Sequence, residues 1–134
     1  MLNPFPNLFI YQYYEPTIMR LVLVVAFIYI AQFLVRERSK LVGLKVPVIG
    51  TMRSWMVWVS VLLPVILAAC FLVGWNTQWA AIVSALALLK HLIGTKNYQG
   101  VLPFSPATYL LLIIISLTLL ITGAGFIAFD RPLL

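Results

Sequence analysis

A chain of 134 residues has the length of one domain, and 63% of it is hydrophobic while only 9% is charged, against about 25% charged residues in a soluble domain. Water could not solvate the exterior of such a chain, so an ordinary soluble domain is excluded and lipid is the matching solvent. The net charge of +6 would suggest nucleic acid in a soluble protein, but these cations lie between apolar runs, which makes them topology signals and excludes nucleic acid as a partner.

In chain order, Met1-Leu2-Asn3-Pro4 carries no basic n-region and the first long apolar run begins late. No cleaved signal peptide is expected, and the first helix should stay in the mature protein. The segment from Asn3 to Tyr14, with Phe9, Tyr11, Tyr13 and Tyr14, can lie along the membrane surface. The first span is predicted over Thr17–Val35, with Pro16 in its opening turn, where a missing N–H costs nothing. Arg20 stands about one turn inside it. A guanidinium there either packs and snorkels to the surface or binds an anionic or quinone-like group. Tyr29 and Gln32 are three apart and share a face, suited to interhelical hydrogen bonding or to ligand contact.

A basic connection follows, with Arg36, Arg38, Lys40, Lys45 and Arg53. The second span, Trp55–Val73, holds no charge; Pro64 lies midway and should kink it, freeing a carbonyl near Ser60. Cys70 is the lone cysteine, so no internal disulfide or C-x-x-C redox pair can form, and it reads as a small buried hydrophobe. Gly74 can end this helix, and Asn76 or Thr77 can cap the next. A turn of about four residues predicts a tight antiparallel hairpin between helices two and three.

The third span, from about Trp79 to Ile93, is shorter and crosses if Lys90 snorkels. Ala80 with Ser84, and Ala81 with Ala85, are small residues four apart that let helices approach closely. The third helix is therefore expected to be the enclosed one. Lys90-His91 ends it, where the helix dipole favours cations; proton handling and headgroup binding are the functional alternatives. Ser105-Pro106 marks the start of the fourth span, Ala107–Phe129. Trp55, Trp58, Trp75, Trp79 and Tyr109 stand near span ends, at headgroup level.

The expected fold is all-α: a single transmembrane domain over residues 1–134, a bundle of four transmembrane helices. The two connections on one side, with Lys90, hold seven of the nine Lys and Arg residues, and Arg20 and Arg131 lie on the other side. This bias makes the chain a multi-pass plasma-membrane protein with basic connections in the cytoplasm and both termini outside or periplasmic. The chemical inventory is thin. Glu15, Glu37 and Asp130 all sit at span ends or in connections, and one His and one Cys at different depths make no metal site. Neither a Gly-rich phosphate loop nor a catalytic triad is present, and no cofactor is identifiable from the residues themselves.

Phe71-Leu72-Val73-Gly74-Trp75-Asn76-Thr77-Gln78-Trp79-Ala80-Ala81 and the closing Leu120-Ile121-Thr122-Gly123-Ala124-Gly125-Phe126-Ile127-Ala128-Phe129-Asp130-Arg131 resemble segments of the DoxX family of small four-helix membrane proteins. Arg20 also falls where that family carries an Arg. The chain departs from the family at Val24, Ala31 and Leu34, where relatives hold Gly, Gly and Lys, and at Pro64, where they often hold Glu. The resemblance implies a membrane subunit associated with oxidoreductases, some of which exchange electrons with quinones. Three functions follow as expectations: a non-catalytic subunit or membrane anchor of a redox-linked complex, a quinone-binding oxidoreductase subunit using Arg20, Tyr29 and Gln32, or a small transporter or lipid-handling protein hinged at Pro64. The partners are the bilayer and, by resemblance, oxidoreductase subunits.

The charge bias makes a direct prediction. A single cysteine placed at Ser39 in a Cys70→Ser background should resist a membrane-impermeant thiol reagent added to intact cells. Labelling from outside would reverse the orientation.

Overall fold

A computed structural model of the chain describes residues 11, 14–46, 50–97 and 102–123. The elements are α1 (Glu15–Arg36), α2 (Arg38–Leu41), β1 (Lys45–Val46), β2 (Gly50–Thr51), α3 (Ser54–Val73), α4 (Thr77–Asn97) and α5 (Pro106–Thr122). The fold is therefore all-α apart from one two-stranded pairing, Lys45 opposite Thr51 and Val46 opposite Gly50.

Three helices are long and apolar enough to cross a membrane: α1, α3 and α4 through Thr95. Their outward side chains are apolar too. Val25, Leu62 and Leu86 are all more than half exposed, a surface that hydrocarbon solvates and water does not. The fourth apolar helix, α5, has 17 residues, about 25 Å at 1.5 Å per residue. It stops well before the expected Phe129. Gly123 adopts φ 76° and its N–H bonds the Leu119 carbonyl, so the chain leaves helical geometry there although the apolar sequence continues. Residues 124–129 of the expected span lie outside the described residues, as do Asp130, Arg131 and most of the Asn3–Tyr14 segment.

The other helix ends follow the local chemistry. Pro16 occupies the opening turn of α1. Ser105 caps α5, its Oγ accepting from the Thr108 N–H at 3.4 Å, with Pro106 directly after. Gly74 ends α3 in the left-handed region, φ 72° and ψ 36°, and both its own N–H and that of Trp75 bond the Cys70 carbonyl, at 2.9 and 3.2 Å. Such a turn satisfies carbonyls that a helix end in hydrocarbon could not offer to water. Asn76, at φ 48°, completes the reversal into α4. α3 runs unbroken through Pro64, which is buried.

Packing divides the bundle into two antiparallel pairs, α1 with α3 and α4 with α5; contacts of α1 with α5 and of α3 with α4 are sparser. Leu23, Phe27, Ile30 and Leu34 form the buried stripe of α1, and Val57, Val61, Ala68 and Phe71 that of α3. Phe27 and Phe71 stack with centroids 6.2 Å apart. The α3–α4 turn is as short as expected, yet the main partner of α4 is α5, because the small-residue stripe of α4 is matched there. The third apolar helix is also not the most enclosed one: α1 buries a larger share of its apolar length than α3 or α4. The basic connection, expected only as a loop, folds back on itself. Lys40 pairs with Glu37 at 2.6 Å, and the Gly43 N–H and Met52 carbonyl bond at 3.0 Å.

Gly74→Ala should lower the bundle's stability by about 1–2 kcal/mol, the cost of a left-handed residue with a Cβ. The unfolding midpoint in mixed micelles measures this, and an unchanged midpoint would contradict the assigned turn.

Candidate functional site

The interior polar groups of α4 fall at a fixed spacing. Thr77, Ser84 and His91 are seven residues apart and all are buried, so they share one stripe. On α5, Tyr109 and Ser116 are also seven apart and completely buried. The two sets meet. The Ser84 hydroxyl donates to Ser116 Oγ at 3.0 Å, and the His91 ring stacks on Tyr109 with centroids 5.9 Å apart and planes 17° from parallel. In both contacts the residue numbers add to 200, one antiparallel register that sets Thr77 level with Gly123. Seven residues rise about 10 Å, so a polar layer recurs at that interval along the α4–α5 seam. Ala80, Ala81, Ala87 and Leu88 fill the levels between.

The protons of the central layer are fully assigned. Ser116 donates to the Leu112 carbonyl at 2.9 Å, so its Oγ is free to accept from Ser84. The Ser84 proton is shared between that oxygen and the Ala81 carbonyl, 2.9 Å away. At the inner layer, His91 Nδ1 lies 2.7 Å from the Ala87 carbonyl. A carbonyl only accepts, so Nδ1 carries hydrogen and the neutral ring keeps its lone pair on Nε2. The rings continue outward from this layer: Phe104 meets Tyr109 edge-on at 5.7 Å and Tyr29 of α1 at 5.2 Å. The Tyr109 hydroxyl is buried beside the Phe104 backbone without hydrogen-bond geometry to it. A chain of four rings thus ties α1 to the α4–α5 pair, each contact of a kind worth roughly 0.5–1.5 kcal/mol beyond area burial.

The five residues singled out in the sequence occupy several places. Tyr29 and His91 are brought into one cluster, through Phe104 and Tyr109, which sequence reasoning had not linked to them. Gln32 is exposed and tilts to the other flank of α1, where it lines a groove between α1 and α3. Arg20 is only 4% exposed; it shares the inward stripe of α1 with Leu23 and Phe27 and does not line that groove. Lys90, next to His91, is turned outward and exposed. The groove that Gln32 lines is therefore lined by neither Arg20 nor Tyr29. Among the described residues no three of His, Cys, Asp and Glu come together. Ser84 was read only as a small residue; the spacing of seven from Thr77 through His91, and from Tyr109 to Ser116, is the signal that would have found the seam.

No family model, curated protein or solved structure matches this chain.

What the seam can do is hold two helices in one register. Hydrogen bonds between membrane helices contribute about 0.6 kcal/mol on average and up to about 1.7. Ser84→Ala and Ser116→Ala should each destabilise within that range, and the double variant should cost less than their sum. Strict additivity in a double-mutant cycle would remove the bond from the account.

Proposed function

We propose that this chain is a DoxX-like, four-span integral membrane protein of the plasma membrane that acts as a non-catalytic subunit or anchor in a redox-linked complex. The observation that carries the reading is the use of its interior polar groups: Ser84, Ser116 and His91 are engaged in joining or bracing helices, and among the described residues no cluster of His, Cys, Asp and Glu forms beside them. Gly74 and Thr77, in the segment that resembles the family's turn, occur at a real reversal between α3 and α4, which agrees with the resemblance. A helix of 17 residues can serve as the fourth span through local thinning of the bilayer or snorkelling at its ends. The excess of cations in the connections sets those in the cytoplasm.

The quinone-binding alternative needs Arg20, Tyr29 and Gln32 around one ligand, and the separation of Arg20 from Gln32 weighs against it. The transporter alternative needs a hinge, and an unbroken α3 with a buried Pro64 offers it little support.

Purification of the full chain in mild detergent should recover a redox protein in stoichiometric amount. Recovery of the chain without any redox partner would overturn the anchor reading. A rise in unfolding temperature on adding a quinone, as a native-state ligand must produce, would replace it with the quinone-binding one.

A further inference from the structure

The groove between α1 and α3 has the form of an amphiphile. Its walls are Val24, Ile28 and Val35 on one side and Val61, Val65 and Leu72 on the other. It is an open groove of about 580 Å³, within the range of about 300–1,000 Å³ typical of ligand sites. From Val24 to Arg36 it follows twelve residues of α1, about 18 Å at the helical rise, a length suited to an extended acyl chain. The polar side chains in it are Gln32 and Arg36, both toward the end where the basic connection begins. There the groove shares Val35 and Val61 with a smaller cleft of about 210 Å³, lined by Arg38, Ser39, Ser54 and Trp58. The Arg38 guanidinium lies 6.0 Å from the Trp58 ring centre, close enough for a cation–π contact that holds the charge at the cleft.

We infer that this groove binds one anionic phospholipid, an acyl chain lying between α1 and α3 and the headgroup phosphate held at Arg36 and Arg38, with the Ser39 and Ser54 hydroxyls as neutral donors. Charge complementarity selects the occupant. The trough is apolar for most of its length, Arg36 lines its polar end, and Arg38, Ser39 and Ser54 line the cleft that adjoins it there. A partner helix would match the apolar part but would leave the polar cleft unfilled. The inference is independent of any redox role.

Native mass spectrometry of the full chain tests it, with dioleoyl phosphatidylglycerol and dioleoyl phosphatidylcholine as probes. The chain should retain one phosphatidylglycerol in preference to phosphatidylcholine. A cation near an anionic headgroup is worth about 1 kcal/mol, about fivefold in affinity, so Arg36→Gln should cut the preference about fivefold. Ala69→Trp and Ile28→Trp put a ring into the groove from opposite walls at exposed positions, and each should abolish retention. Leu111→Trp, exposed on α5 away from the groove, should leave it intact. Equal retention of the two lipids by the unaltered chain would overturn the inference. So would undiminished retention in both groove variants, or a groove variant that changes only the oligomeric mass.

Discussion

Hydrocarbon supplies no hydrogen bonds, and that single property orders most of what the chain does. Each backbone amide in the spans must be satisfied within its helix, and each helix end must be closed by a turn or carried to the headgroups. The Gly74 reversal, the Ser105 cap and the folded-back connection around Gly43 and Met52 are three answers to that requirement. The same property gives buried polar side chains their force. Ser84 and Ser116 find each other across the α4–α5 seam because neither has water to turn to, and the bond then fixes which residues face each other over the whole pair.

Lipid also removes the usual hydrophobic drive between helices, since tails are as apolar as leucine. Association then rests on fit and on polar contacts, and the two halves of this bundle use them differently. The α1–α3 pair is held by large side chains, with the Phe27–Phe71 stack among them, and it leaves a groove on its outer side. The α4–α5 pair is held by small residues and polar layers. Tyr29, Phe104, Tyr109 and His91 bridge the pairs. The division leaves one half with a polar register between its helices and the other with an apolar groove on its surface.

Most helix positions were legible from the amino-acid sequence, because Pro16, Gly74 and the Ser105-Pro106 pair punctuate apolar runs in ways that have one physical meaning. The end of α5 was not. Hydropathy continues past Gly123, whereas the backbone of that glycine, φ 76° and ψ -164°, leaves helical geometry. Helix pairing is only partly legible for a related reason: a short turn shows that α3 and α4 are consecutive and antiparallel, as expected, but not which stripe of α4 fits which neighbour. The spacing of Thr77, Ser84 and His91 held that information in plain view, once polar residues are counted by sevens rather than by threes and fours. The placement of Arg20 on the inward face depends on the rotation of α1, which composition does not determine.

The register of the α4–α5 seam carries the most weight, since the polar layers, the ring cluster and the division into pairs all depend on it. Cysteine cross-linking in native membranes tests it directly, in a Cys70→Ser background. Ser84→Cys with Ser116→Cys should form a disulfide readily under mild oxidation, while Ser84→Cys with Tyr109→Cys, one layer out of step, should not. Equal cross-linking of the two pairs, or of the offset pair alone, would contradict this register and the bundle built on it.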